Sequence, residues 1–418
     1  MSAAVTSPRH LKDTTIAVAQ QSAYGTAAAT SLAMQLFCSA VEVNPGFEYV
    51  NLRGTTGSAL PKDMHFKTAE RPEVNLEMPA TKKNLIFFAS HCIGLTSGTS
   101  AAGNLTLALN TGWSTLTLAN ILPHINTDDS WILYAKLTDG GGGTGHTFEL
   151  YSDSGRTALV ATGTGNDSAT VTLTASNNSG LTGTVVLGAV SADDLDATVT
   201  VASVVIEPDQ TQDKYITFWR DTGSNLERVI DCAVAKLVRK SQELGPVMLE
   251  VELYGSTHEG SLSTTLTPSL STDDRDIYLH DSVVYTSDVD TDAVTESVYS
   301  VEVAITRNLM RDVHNASTAV AIWLSNFESI EMSVEQRFAD EAKVVINSGL
   351  ADAFTSERVV DTHDSKTATW LFDKAKVVNP QLPNSNEESY ERVTHTLACV
   401  EETATSPSTA LTLTVTGP

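Results

Sequence analysis

Three consecutive residues, His363, Asp364 and Ser365, are of the types that hydrolases use for nucleophilic catalysis. A catalytic triad is defined by its geometry in space, however, and adjacency in the sequence says nothing about that geometry. No G-x-S-x-G nucleophile elbow accompanies these residues. A solvated polar loop is therefore the favoured interpretation.

A second stretch begins like an EF-hand calcium loop, with aspartates at Asp288, Asp290 and Asp292. Ala293 stands where that loop needs its turn glycine, and Tyr299 stands where it needs a glutamate. An acidic turn is thus favoured over a metal site. The ten histidines form no H-x-x-x-H pair of the zinc type. We expect no catalytic, cofactor-binding or metal-binding residue, and no enzyme activity.

The clearest pattern in the chain is an alternating ribbon directly after the turn signal Gly245-Pro246. Its apolar positions are Val247, Leu249, Val251 and Leu253, and the positions between them are Met248, Glu250, Glu252 and Tyr254. Strand side chains alternate between two faces, so this spacing predicts a strand with one apolar face and one carboxylate face. Such a strand belongs to a sheet that packs against the core on one side and is exposed to solvent on the other. This arrangement is typical of a wall or shell rather than a chemical pocket.

The overall charge narrows the range of partners. The 418 residues include 51 acidic and 26 basic side chains, which gives a formal net charge of −25. An acidic surface is a poor candidate for tight nucleic-acid binding, whereas a protein that only lets DNA pass suits this sign. The alternative is that the excess of acidic residues only keeps the protein soluble. The hydrophobic content of 41% is that of a globular protein, and the length favours two domains.

The N-terminal residues lack the apolar core of a signal peptide, and no segment approaches a membrane span. We therefore expect a protein that is made and folded in a cytoplasm and has no membrane contact. The four cysteines are widely scattered and form no C-x-x-C pair: Cys38, Cys92, Cys232 and Cys399. Buried reduced thiols are favoured over a disulfide or a metal site.

A change of composition divides the chain into three parts. From about Asn104 to Val205 the sequence is rich in Thr, Ser, Gly, Asn and Val. Short strand-like runs separated by turn clusters predict a small β-sandwich in this region. We assign residues 105–205 to that sandwich, inserted into a domain that comprises residues 1–104 and 206–418.

The two flanking parts have the pattern of antiparallel strands with one or two short helices. Lys82–Leu95 places apolar residues at helical spacing, and a second helix is predicted over about Val334–Leu350. The predicted strands are Val74–Met78, Tyr215–Trp219, Val229–Leu237, Val247–Tyr254, Ile277–Tyr285, Glu296–Thr306, Ala319–Leu324, Ser329–Val334, Thr367–Phe372, Ala375–Val378, Tyr390–Glu401 and Ala410–Thr416. A similar succession of elements on both sides of about residue 262 hints at two lobes. The predicted fold class is mainly β, with packed antiparallel β-sheets.

These segments together resemble the tail tube (major tail) proteins of long-tailed bacteriophages. The run Gln21-Ser22-Ala23-Tyr24-Gly25-Thr26 is similar to the E-x-x-Y-G-T opening of that family, with Gln21 in place of the usual acid. The order of the later strands and of the helix is also similar, and the likeness covers roughly residues 20–100 and 206–402. The insertion resembles the Ig-like accessory domains of phage particle proteins, through Thr147–Val160.

The resemblance implies a structural virion protein with a tail-tube-like sandwich or barrel, a possible duplication of that unit, and assembly into rings that stack along the tail. The implied partners are other copies of the chain, the tape measure, terminator and baseplate or tip proteins, and DNA that passes without tight binding. The implied location is the virion tail, assembled in the host cytoplasm. The rival interpretation is an acidic β-rich adhesin whose Thr-rich insertion binds a cell-surface glycan.

Within the tail-tube interpretation the acidic ribbon belongs to the wall of the channel. The candidate lumen-facing residues are Met248, Glu250 and Glu252. The alternatives are that this face is outer surface, or that its carboxylates pair with Lys236, Arg239 or Lys240 on the neighbouring strand. If the chain is duplicated, three two-lobed copies make a pseudo-sixfold ring; otherwise six copies are expected.

Overall fold

The structure of the 418-residue chain is a computed structural model. It describes residues 14–21, 23–30, 33–54, 62–93, 105–108, 116–118, 132–138, 144–151, 159–166, 171–175, 185–187, 195–200, 203–206, 208, 215–223, 225–266, 277–287, 298–312, 321–337, 345–346, 349–351, 355–364, 366–378, 392–399 and 411–416. Within these residues strands predominate, they pair antiparallel, and the sheets pack together. The predicted fold class is confirmed.

The described elements are numbered along the chain. The first part contains β1 (Thr15–Gln20), β2 (Met34–Leu36), β3 (Ala40–Asn44), β4 (Phe47–Gly54), β5 (Lys62–Glu70), β6 (Glu73–Pro79) and α1 (Lys82–Cys92). The middle part contains β7 (Leu105–Ala108), β8 (Leu116–Leu118), β9 (Ile132–Thr138), β10 (Thr144–Tyr151), β11 (Leu159–Asn166), β12 (Val171–Ala175), β13 (Val185–Leu187) and β14 (Leu195–Thr200). The last part contains β15 (Ser203–Ile206), β16 (Ile216–Asp221), β17 (Leu226–Gln242), β18 (Met248–Tyr254), β19 (Thr257–Leu262), β20 (Val284–Ser287), β21 (Val298–Asp312), β22 (Ala321–Arg337), β23 (Thr355–His363), β24 (Lys366–Val378), β25 (Arg392–Cys399) and β26 (Leu411–Thr416).

One large antiparallel sheet organises the first and last parts. Its strands follow the order β15–β26–β24–β25–β22–β21–β17–β16–β1–β2, and β17 also carries the branch β18–β6–β3. Strand β17 is long enough to change neighbours: its first half lies between β16 and β19, and its second half lies between β21 and β18. The change occurs at Asp231, whose φ of 56° is left-handed, and at Gly255 between β18 and β19. A side chain on Gly255 would meet the Val229 Cγ1 atom at 2.3 Å, so this close approach requires glycine.

Within this sheet, eight neighbouring strands form the wall that carries the acidic ribbon. Their order is β3–β6–β18–β17–β21–β22–β25–β24, and every neighbouring pair is antiparallel. Four of these strands precede residue 262 in the chain and four follow it. Most inward positions, at every second residue, are apolar and buried, so one side of this run lies against the core.

Strand β23 lies across the core from β17 and is tied to it by a buried ion pair. Arg239 is 0% exposed and makes a two-pronged contact with Asp361 of β23, which is 1% exposed. The same guanidinium donates to Ser241 Oγ at 3.0 Å and to the Val301 carbonyl at 2.9 Å. A buried charge is stable only when it is paired and hydrogen-bonded, so Arg239 and Asp361 each require the other, and together they link β17 to β23.

Helix α1 confirms the predicted helix and is buried along its whole length. The Thr81 side chain accepts a hydrogen bond from the Asn84 N–H at 3.2 Å and so caps the first turn. At the other end, the Arg307 guanidinium of β21 donates to the Cys92 carbonyl at 3.0 Å. A cation at this position stabilises the helix because the last carbonyls carry partial negative charge.

The middle strands form two four-stranded antiparallel sheets, in the orders β11–β10–β9–β14 and β13–β12–β7–β8. Among the described residues these eight strands pair only with one another. Strand β15, in contrast, pairs with β26 of the large sheet, and Ile206 at its end is fully buried in the core. The three-part division of the chain stays a prediction, but any removable insertion must stop before β15.

Two predicted elements have the wrong bounds in the described residues. The strand predicted over Ile277–Tyr285 is interrupted by a 3₁₀ turn at His280–Ser282, and the strand begins only at Val284. The helix predicted over Val334–Leu350 is helical at the described residues 345–346 and 349–350, but its predicted start lies inside β22, which runs to Arg337. Gln336 occupies an inward position of that strand, so the alternation of apolar residues is broken there.

All four cysteines are free thiols, as predicted. Cys92 and Cys232 are buried, and burial raises the pKa of Cys92 to about 12. These thiols are therefore inert apolar packing groups. In the part of the chain that the structure describes, no helix combines the length and the hydrophobicity needed to cross a membrane.

Candidate functional surface

The acidic ribbon forms strand β18, and its two faces are those that the sequence predicts. The apolar side chains Leu249, Val251 and Leu253 are at most 2% exposed and lie in the core. On the other face Glu250 is exposed, while Met248 and Glu252 are partly exposed. We call the side of the eight-stranded wall that carries these three residues the acidic face.

Neighbouring strands set the charge environment of the two carboxylates. Glu250 lies between Val238 of β17 and Glu77 of β6, so its nearest charged cross-strand partner has the same sign. Glu252 lies opposite Lys236. Like charges directly opposite each other are destabilising. No cross-strand neighbour of Glu250 in this register therefore makes it stabilise the single subunit.

The three basic residues on the neighbouring strand do not neutralise these carboxylates. Lys240 approaches Glu302 at 4.0 Å, and Arg239 points into the core toward Asp361. Within the described residues no ion pair joins Lys236 to either glutamate of β18. The Glu252 carboxylate instead accepts a hydrogen bond from the Tyr254 hydroxyl; burial, with this carboxylate, raises the pKa of Tyr254 to about 12.

The acidic face extends well beyond β18. In the described strands its outward positions hold more glutamates than basic residues, so the face is negative. The glutamates are Glu42, Glu73, Glu77, Glu250, Glu252, Glu302, Glu331 and Glu335. The basic residues include Lys236, Lys240, Arg337, Lys376 and Arg392, and the guanidinium of Arg311 lies 4.6 Å from the centre of the Tyr254 ring. Strands β3, β6 and β18 contribute five of these glutamates. A depression of about 330 Å³ between β3 and β17 is lined by four of them, Glu42, Glu77, Glu250 and Glu252, and by Lys236 of β17.

Both ends of the eight-stranded wall are open in the described residues. Strand β3 pairs with β6 and no other described strand, and its residues alternate between exposed and half-buried. At the opposite end, Lys376–Val378 of β24 pair with β25 on one side only, and Val378 is 39% exposed. Unpaired strand edges are templates for pairing with another chain.

The segment that resembles the tail-tube opening is held by a buried carboxylate. Gln21 is 5% exposed; its Nε2 donates to Asp231 Oδ1 at 3.1 Å, and its Oε1 accepts from the Asp231 N–H at 2.7 Å. The Gly25 N–H also donates to Asp231, at 2.7 Å, from a left-handed φ of 75°. Tyr24 packs edge-on against Tyr215 with ring centroids 5.0 Å apart, and burial raises the pKa of Tyr24 to about 12. These residues lock the chain at the bend of β17.

The other candidate sites form no catalytic or metal centre in the described residues. His363 and Asp364 lie 3.8 Å apart in a tight turn, with the aspartate largely exposed. The acidic stretch from Asp288 to Asp292 lies outside the described residues. No group of three or more metal-binding side chains occurs within the described ranges.

The comparisons with known proteins add no family to this description: no protein-family model matches the chain, and no curated protein matches its sequence.

Sequence reasoning missed most of the acidic face. Glu77 stands in the same alternating pattern as Glu250, within Glu73–Pro79, and could have been assigned to an outward face from that pattern. Glu42 belongs to a five-residue edge strand without a strong apolar face, so its pattern carries little signal. Glu335 was missed because it fell in the predicted helix, whereas Glu331 alternates with Ile330 and Met332 in the predicted strand Ser329–Val334 and could have been assigned to an outward face.

Proposed function

We propose that this chain is a structural subunit that closes edge to edge into rings and stacks into a tube for the passage of DNA, as in a phage tail. The observation that carries the proposal is the eight-stranded antiparallel wall with one acidic face and two open ends. With an even number of alternating strands, the first and the last run in opposite directions. The open segment of β24, Lys376–Val378, can therefore pair antiparallel with β3 of the next copy.

The wall is divided equally between the two halves of the chain, and this supports a ring of three copies rather than six. Its four strands β3, β6, β18 and β17 come from the first half of the chain, and β21, β22, β25 and β24 come from the second half. Each half is thus one lobe with four wall strands. Three copies would give a ring of six lobes, and a closed ring pairs both open ends of the wall.

The acidic face supports a channel rather than a DNA-binding groove. A ring that turns this face inward presents carboxylates and few cations to a phosphate backbone. Tight binding requires Lys and Arg to displace counterions from phosphate, so DNA slides past such a wall without being retained. In this proposal the tape measure, terminator and baseplate proteins contact the ends of the tube, and the residues around 105–200 project outward.

Ring closure is tested by proline substitutions in β3. Adjacent residues of a strand direct their N–H groups to opposite sides, so Val41→Pro and Glu42→Pro differ in which side loses a donor. We expect one variant to lose stability as a monomer, because its proline interrupts the pairing with β6. The other variant should keep the monomer's thermal stability and form no rings in negative-stain electron microscopy. Rings from that second variant would contradict closure through β3.

The lumen assignment is tested by reversing the charge of β18. Glu250→Lys combined with Glu252→Lys should leave rings intact, because exposed positions tolerate such changes. The tubes should then retain linear DNA in a sedimentation assay, with a salt dependence that steepens by about 0.9 for each lysine that reaches a phosphate. The matched control, glutamine at both positions, removes the charge without adding a cation. DNA passage through the double-lysine tubes that equals wild type would place these residues outside the channel.

A further inference from the structure

One end of the wall presents an apolar residue that the fold does not need. Leu244, in the turn between β17 and β18, is 99% exposed. Its φ of 63° is in the left-handed region, where residues other than Gly and Asn are strained. Leu279 lies beside this turn and is 44% exposed. A strained leucine that is wholly exposed weakens the isolated subunit in two ways, so its place in the fold has another cause.

The turn is held rigidly. The Gly245 N–H donates to the Gln242 carbonyl at 3.1 Å, and the Glu243 N–H donates to the Tyr299 carbonyl at 2.9 Å. The His280 N–H donates to the Gly245 carbonyl at 3.1 Å, which joins the segment of Leu279 to the same turn. The exposed leucine is therefore presented in one orientation, which reduces the entropy lost when it binds.

The opposite end of the strands carries a matching set of groups. Met310 near the end of β21 is 59% exposed, and Phe47 at the start of β4 is 41% exposed. Each end also has a half-exposed arginine–glutamate pair next to its apolar residue. At the Leu244 end, Arg392 lies 3.4 Å from Glu243; at the Phe47 end, Arg71 lies 3.3 Å from Glu48. The two ends thus complement each other in apolar surface and in charge.

We propose that Leu244 and Leu279 dock on the end of a second copy that carries Met310 and Phe47, and that this contact joins one ring to the next. The inference rests on the proposed function, since the lateral edges of the wall are taken up by ring closure and leave these two ends for stacking. In the contact, Arg392 can exchange Glu243 for Glu48 of the second copy. Contact between two different surfaces is head-to-tail and does not close, so it propagates along the tube axis.

The test is a substitution that stabilises the subunit while removing the contact. Leu244→Gly relieves the left-handed strain and removes the side chain. We expect the monomer to unfold at a temperature no lower than wild type, rings to form normally, and the protein concentration needed for tubes to rise about tenfold or more, as for loss of a buried apolar anchor. Leu244→Met, which keeps an apolar side chain, should form tubes like wild type. Met310→Thr at the opposite end should reproduce the loss of tubes.

The outcomes separate this inference from the proposed function. Rings without tubes in Leu244→Gly, together with tubes in Leu244→Met, support the docking of the Leu244 end. Tubes of wild-type length and threshold in Leu244→Gly overturn it, while leaving ring closure intact. A wild-type chain that forms no rings at any concentration overturns the proposed function, and this inference with it.

Discussion

Replacing Gln21 with glutamate removes a side-chain amide that faces the buried carboxylate of Asp231. The amide Nε2 donates to the Thr26 carbonyl at 2.7 Å and to Asp231 Oδ1 at 3.1 Å. The ionised carboxylate of the Gln21→Glu variant has no donor for either acceptor, and it places a second negative charge beside the first. Losing one neutral and one charge-assisted hydrogen bond costs about 2–4 kcal/mol, and like-charge repulsion adds to that cost.

The pH dependence of the Gln21→Glu variant has a defined sign. Repulsion raises the folded-state pKa of the new carboxyl above its unfolded value of about 4.3. The variant should therefore keep most of its stability below about pH 4.3 and lose it as the pH rises through the folded-state pKa. Urea unfolding followed by tryptophan fluorescence checks this, because Trp219 is fully buried in the neighbouring strand β16. The wild-type protein, measured at each pH, removes the contribution of the other carboxyls.

A second substitution tests whether the pair is responsible. Asp231→Asn removes the like charge and supplies an amide that can donate to the new carboxylate. We expect Gln21→Glu with Asp231→Asn to recover at least half of the stability lost by Gln21→Glu alone. A double variant that is only as stable as the sum of the two single effects, or a loss that does not change with pH, would refute the assignment.

Three further outcomes follow from the packing. Deleting residues 105–200 should leave the large sheet folded, whereas a deletion that extends through Val205 should destabilise it, because it removes most of β15 (Ser203–Ile206); circular dichroism melting of both variants checks this. Gly255→Ala should lower the free energy of unfolding by about 1–3 kcal/mol, since the new methyl group would meet Val229, and denaturant titration measures it. Burial lowers the pKa of His395 to about 4, so stability should fall as the pH drops from about 6.5 toward 4, and His395→Gln should flatten that part of the curve.

Strands whose inward positions are all apolar could be predicted from the sequence. The ribbon Val247–Tyr254 and the pattern at Glu73–Pro79 have this property, and β18 and β6 match the predictions within a residue. Helix α1 was predicted for the related reason that its apolar residues recur at helical spacing. In each case the spacing of the apolar residues in the local sequence contains the signal.

One strand with polar residues at inward positions, β23, was not predicted. Strand β23 places Glu357 and Asp361 in the core, and neither is more than 1% exposed. Their partners lie far away in the sequence: Tyr285 donates to Glu357 at 2.6 Å, and Arg239 pairs with Asp361 from β17. The residue types that suit such a position are set by contacts made only after folding, so no local sequence pattern predicts them.

The acidic face was predicted in kind but not in extent, and its size bears on how the chain can assemble. With a net charge of −25, each copy repels the next, so electrostatics oppose the proposed ring and tube. The favourable terms must come from backbone hydrogen bonds at β3 and β24 and from apolar contact at Leu244.

Salt screens the repulsion and leaves those terms intact, so tube formation should increase with ionic strength up to about 0.5 M, measured by light scattering. DNA retention by the double-lysine tubes should decrease over the same range, because it depends on counterion release. Tube formation that weakens with added salt would show that ion pairs, rather than strand edges and apolar ends, hold the copies together.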